Sequence, residues 1–203
     1  TGVQTCALPI YAHGERFVRE DHPSVHQIER GIYRQPGHRH WAIFDAEMLA
    51  KSEPIIPDWS RDRLANEYQT HPMFSRAMTI EELAFRAGIN ASSLRRNIDD
   101  YNRRQQTAQT DRFGRTHRPM TIEKAPFYAI AMQGWTLVSF AGLSVNRNFQ
   151  VLNPQRKAIS NLYAIGEVIG AGATSGAAYT NGMLVTPAIT FGRLLGSTLA
   201  RRS

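Results

Sequence analysis

The sequence has a single cysteine, Cys6, in 203 residues. That excludes a disulfide framework and any zinc or iron–sulfur site built on several thiolates. No run of eighteen apolar residues occurs, so no segment is expected to span a membrane. Acids are scarce in the last third. From Thr136 to Ser203 the one acid is Glu167, against the bases Arg147, Arg156, Lys157, Arg193, Arg201 and Arg202. This stretch carries +5 of the chain's formal +7. Its bases are scattered and two sit at the extreme C-terminus, which argues against a phosphate-binding face. What is present, 42% hydrophobic and 20% charged residues, is the composition of a folded globular chain.

Residues Thr1 to Ile10 (TGVQTCALPI) have no initiator Met, no leading charge and no cleavage site, so they are not a signal peptide. All ten read as the conceptual translation of a sequencing-library adapter. They are expected to be foreign to the fold and to pack on nothing, with the natural sequence starting near Tyr11.

Along the rest of the chain, residues 14–20 (GERFVRE) predict a short strand, and His22 to Arg34 carries weak helical periodicity. Trp41 to Asp45 (WAIFD) reads as a buried strand. Thr79 to Ala87 predicts a helix, with Thr79 and Glu82 forming a capping box and Gly88 the left-handed stop. Asn90 caps a second helix on which Leu94, Ile98 and Tyr101 share a face. Asn102 to Arg118 is polar and predicts a loop. Strands are expected at 127–132, 137–140, 150–152 and 161–165, then a glycine-rich loop and an apolar helix from about Gly182 to Leu199.

Three patterns invite other functions. Residues 79–102 have the shape of a DNA-binding helix-turn-helix, with Arg95 and Arg96 on the second helix. Asp99 and Asp100 would face phosphates there, so a packed helical hairpin is the favoured reading and the DNA-binding one stays as the rival. The pairs His22/His26 and His38/His40 lack a third converging ligand and read as solvated histidines. Gly170, Gly172 and Gly176 follow a strand but are spaced G-x-G-x3-G, and no acid follows to meet a ribose. Glu167, just after that strand, is instead the candidate carboxylate for sugar or ribityl hydroxyls.

Taken in order, GERFVRE, WAIFD, TIEELAFRAGI, DRFGR (111–115), APFYAI (125–130), AGLSVN (141–146), LYAIGEV (162–168) and NGMLVTPAITFGRLLG (181–196) resemble the C-terminal part of the fumarate reductase/succinate dehydrogenase flavoprotein family. Its soluble relatives include 3-ketosteroid dehydrogenases and tricarballylate dehydrogenase. Each piece is weak, but their order and spacing are specific. The resemblance implies FAD held mainly by an N-terminal Rossmann-like half that this chain lacks. It implies a mixed α/β and α+β fold: a remnant of the FAD-binding domain at 11–39, a capping domain at 40–130 and the final FAD-domain segment at 131–203. Carried over, Gly166 and Glu167 fall where the family binds an FAD ribose, and Gly182, Met183, Leu184 and Val185 form the turn whose amides face the flavin. A helix N-terminus there suits the negative charge a reduced flavin gains.

The departures are informative. Gapless counting places Tyr179 at the family's dicarboxylate-clamping Arg, Leu137 and Val138 at two histidines, and Ser24 at or near the proton-donor Arg. Without cations the site cannot offset the desolvation of two carboxylates. The expectation is a cytoplasmic, FAD-dependent dehydrogenase or reductase acting on a neutral or carbonyl-containing small molecule, not a dicarboxylate. It uses no metal and no nucleic acid, and Tyr179 is the candidate catalytic residue. The isolated fragment is expected to be inactive; a truncated product without function is the remaining rival.

Overall fold

Strand β2 (Arg39–Asp45) pairs along its whole length with β4 (Phe127–Gln133), placing Trp41 opposite Ala131 and Ile43 opposite Ala129. The computed structural model describes residues 7–22, 25–52, 56, 58–117, 120–134, 138–176 and 182–201. The chain divides into two units, Thr1–Gly134 and Trp135–Ser203. In the first, β1 (Leu8–Ile10) lies on the free edge of β2 and β3 (Phe74–Ala77) on that of β4, giving an antiparallel sheet of order β1-β2-β4-β3. Helices α1 (Val25–Tyr33), α2 (Ala46–Lys51), α3 (Arg61–Thr70), α4 (Ile80–Ala87) and α5 (Ala91–Thr107) complete the unit. Ile43, Phe44, Met48, Leu64, Ile80, Leu83, Leu94 and Ile98 form its core.

Local chemistry sets these helices. Thr79 accepts from the Glu82 N–H, Asn90 from Ser93, Asp45 from Met48 and Ser60 from Arg63, so four N-termini carry a side-chain cap. Gly88 closes α4 with φ +69°. Asp45 is fully buried, and its other oxygen accepts from the N–H groups of Glu123 and Lys124, tying the 120s loop to the end of β2. Asn102 does the same from α5, donating to the Ile122 carbonyl and accepting from its N–H.

Four sequence expectations are corrected. Residues 7–10 do not lie free: Leu8 and Ile10 are fully buried and paired with β2. The idea that all of 1–10 is foreign therefore fails for this part, and residues 1–6 lie outside the described residues. Residues 14–20 are not a strand beyond a single bridge from Arg16 to Ile10. The predicted loop from Asn102 is helical to Thr107, because its polar residues pair along the helix surface, as Arg104 does with Asp100 at 2.7 Å. Residues 138–140 form no strand.

In place of a strand, GERFVRE makes a buried ionic lattice with DRFGR. Arg16 meets Glu20 through two nitrogens, at 2.6 and 2.5 Å, and Asp111 at 2.6 Å. Arg115, fully buried, lies 3.5 Å from Glu20 and over the Tyr101 ring. Burial opposes the Arg16 charge, but the two carboxylates outweigh it and hold its pKa above the ordinary value. Asp21 extends the junction by accepting from Thr116 and His117.

His40 is the other correction: it is buried, not solvated, with Nδ1 unpaired among the described residues and the ring edge-on to Phe17. Burial pushes its pKa down to about 4. The fold thus holds it neutral while the unfolded chain takes up a proton below about pH 6.5, so stability falls as pH drops from about 6.5 to 4. The expected loss is about 2–4 kcal/mol by urea unfolding, and His40→Leu is expected to flatten that slope. An unchanged slope in the variant would contradict the assignment.

Candidate functional site

The second unit is built on close backbone contact. Strands β5 (Gln150–Leu152) and β6 (Ala158–Tyr163) form a two-stranded antiparallel hairpin, its turn held by Asn153, which accepts from Gln155 and Lys157. Val151, Ala164 and Ile169 are buried together, and Val145 and Phe191 pack on them. After β6 the chain enters a 3-10 turn, Gly166–Ile169, with Gly166 at φ +73°. Glu167 stands exposed on that turn.

Residues 139–143 run against 167–172 with no side chains between them. Leu143 donates to the Val168 carbonyl at 2.8 Å, Ala171 to Ser139 at 2.9 Å and Gly172 to Phe140 at 3.1 Å. A Cβ on Gly142 would lie 2.2 Å from the Gly170 nitrogen, and one on Gly170 would lie 2.5 Å from the Phe140 carbonyl oxygen. The glycines near 170 thus serve this seam, which accounts for a spacing unlike a nucleotide fingerprint. The short helix α6 (Gly172–Ser175) follows, and α7 (Val185–Ala200) ends the chain.

Gly166, Glu167, Gly170, Thr174, Met183 and Leu184 line one small depression. Four of these, Gly166, Glu167, Met183 and Leu184, are predicted cofactor residues, so two separate predicted pieces of the site meet. Gly182 has φ +82°, a conformation that favours glycine, and Val185 is the first residue of α7. No side chain caps that helix end among the described residues. Tyr179, Leu137 and Ser24 lie outside the described residues. The strand expected at 161–165 is corrected: β6 runs from Ala158 to Tyr163, and it pairs with β5.

Ser139 was missed by sequence reasoning, which placed it in a strand. Its backbone N–H donates to Glu167 Oε1 at 3.3 Å and its hydroxyl to the Ala141 carbonyl at 2.5 Å. The available signal was the presence of glycine at 142, 170 and 172 on two segments that only close approach explains.

The α4–α5 hairpin does not offer a free basic face. Arg95 pairs with Glu81, Arg103 and Arg104 with Asp100, and Arg96 donates to Ser93, while Leu94, Ile98 and Tyr101 are buried. Among the described residues no group of three or more His, Cys, Asp or Glu could hold a metal ion, and no helix is long and apolar enough to cross a membrane.

In this mixed helix-and-sheet chain the Glu167 turn and the N-terminal end of α7 thus border one depression. The chain belongs to the FAD binding domain family, whose sequence pattern matches residues 7–183, and FAD is the cofactor of that family. It is 26% identical over 197 residues to "Probable fumarate reductase Ifc3" of Shewanella frigidimarina, covering 97% of this chain and 31% of that protein. Its fold is similar to the open conformation of a flavocytochrome c3 fumarate reductase, at 26% identity and TM-score 0.66 over 98% of this chain and 33% of the other. It is also similar in fold to 3-ketosteroid delta1-dehydrogenase from Sterolibacterium denitrificans, at 22% identity and TM-score 0.73, covering 99% of this chain and 40% of that one. The chain thus spans about a third of the length of such relatives.

The seam makes a direct prediction. Gly142→Ala forces two backbones apart and is expected to destabilise the chain by about 1–3 kcal/mol in urea. Gly196→Ala, in α7 where nothing lies within 4 Å of the new Cβ, is expected to be neutral or stabilising. Equal effects from the two would contradict the seam.

Proposed function

We propose that this chain is the capping domain and C-terminal cofactor segment of a larger FAD-dependent dehydrogenase or ene-reductase. Residues 40–130 form the cap, 11–39 and 131–203 belong to the FAD-binding domain, and an N-terminal FAD-binding half supplies the remaining contacts. The observation that carries the reading is the meeting of the Glu167 turn with Met183 and Leu184, at the N-terminal end of α7, in one depression. These residues fit the cofactor chemically. Glu167 accepts hydrogen bonds from ribose hydroxyls. The amides of Gly182 to Val185 and the positive end of α7 stabilise negative charge on the flavin edge. FAD, when bound, supplies hydride exchange with a carbon–carbon bond next to a carbonyl.

The substrate reading rests on charge. Leu137, Val138, Tyr179 and Ser24 stand where fumarate reductases of this resemblance carry histidines and arginines. No cation at those positions offsets two buried carboxylates, so the substrate is a neutral carbonyl compound and not a dicarboxylate. Tyr179 donates a hydrogen bond or relays a proton at that carbonyl.

In the complete flavoprotein, Glu167→Ala is expected to weaken FAD binding by about 1–3 kcal/mol, the scale of a lost hydrogen bond to a charged group. Tyr179→Phe is expected to lower kcat with FAD still bound. Unchanged FAD affinity in Glu167→Ala would remove the cofactor assignment. The 203-residue chain by itself is expected to be inactive and to lose FAD in gel filtration. Its exposed Val185, Ile189 and Leu194 on α7 are expected to promote aggregation. Yellow protein eluting with stoichiometric flavin would contradict this.

A further inference from the structure

We propose that Ser139 is a cofactor-positioning residue, whose backbone N–H fixes the Glu167 carboxylate for hydrogen bonding to the ribose of FAD. The inference rests on the reading of Glu167 given above and adds the group that orients it. Glu167 is exposed on a single 3-10 turn, where a long side chain has several rotamers open to it. Among the described residues its carboxylate has one hydrogen-bond donor, the Ser139 amide, on Oε1 at 3.3 Å. That leaves Oε2 to accept from a ligand hydroxyl.

The donor is itself held firmly. The Ser139 carbonyl accepts from Ala171, the next residue's carbonyl from Gly172, and Leu143 donates to Val168, so the 139–143 segment is stitched to the stretch that directly follows Glu167. The Ser139 hydroxyl turns the other way, to the Ala141 carbonyl. The positioning group is therefore the backbone N–H and not the serine side chain. The seam glycines act through it: Gly142 and Gly170 permit the approach that brings the amide within reach of the carboxylate. A carboxylate held in place before binding does not lose its rotamer freedom on binding, which favours affinity.

The test is a double-mutant cycle on FAD affinity in the complete flavoprotein, read by the return of free-flavin fluorescence. Ser139→Pro removes the N–H, and Ser139→Ala keeps it. Ser139→Pro is expected to weaken FAD about tenfold, clearly more than Ser139→Ala, which keeps the N–H. The Ser139→Pro/Glu167→Ala pair is expected to bind no more weakly than Glu167→Ala alone, because the amide acts only through that carboxylate. Should the proline variant fail to fold, replacing residue 139 by its α-hydroxy analogue converts the amide to an ester and removes the N–H alone, with the same expectation. A normal Kd with the N–H absent, or losses that multiply in the double variant, would overturn the role of Ser139 while leaving Glu167 in place. A normal Kd in Glu167→Ala would overturn both.

Discussion

The site depends on one constraint: two stretches of backbone, 139–143 and 167–172, lie closer than any side chain at Gly142 or Gly170 would allow. Three backbone hydrogen bonds join them, one at Val168 within the turn that carries Glu167 and two just after it, at Ala171 and Gly172. The second unit has a small core, so this polar seam does much of the work of ordering it. The cost of glycine's conformational freedom is offset by hydrogen bonds that only a bare backbone can make here.

The first unit is ordered differently. It has a continuous apolar core under an antiparallel sheet, and polar side chains fasten its loops to that core. The Arg16–Glu20–Asp111–Arg115 lattice joins segments some ninety-five residues apart, Arg16 and Asp111 being 95 positions removed. Four buried charges are tolerable because each guanidinium meets a carboxylate and the remaining lone pairs find backbone partners, as the Arg115 and Phe113 amides do on Asp111. Asp45 and Asn102 repeat the device at smaller scale, each binding two backbone groups of the 120s loop.

Much of this was legible in the sequence where the signal is local. The Thr79 and Asn90 caps, the Gly88 stop and the strand at 41–45 are set by neighbouring residues, and the structure has them all. The turn at Gly166–Glu167 and the helix after Gly182 were legible for the same reason. The misreadings share another cause: the deciding partner is remote. GERFVRE alternates like a strand, yet Arg16 is taken up by Asp111. Asn102, where a loop was expected to begin, is taken up by Ile122, 20 positions on. Leu8 and Ile10 looked foreign by their wording, but β2 offers them a hydrogen-bonding edge and a buried face. His38 and His40 looked alike in sequence, and only the sheet register separates the exposed one from the buried one.

The central claim is that Glu167 and the turn before α7 are two halves of one cofactor contact. The most direct measurement is a crystal structure of the complete flavoprotein with FAD bound. The account predicts a ribose hydroxyl within hydrogen-bond distance, about 2.5–3.0 Å, of the Glu167 carboxylate, and the flavin edge against the amides of residues 182–185. FAD seated elsewhere, with Glu167 facing bulk solvent, would contradict it.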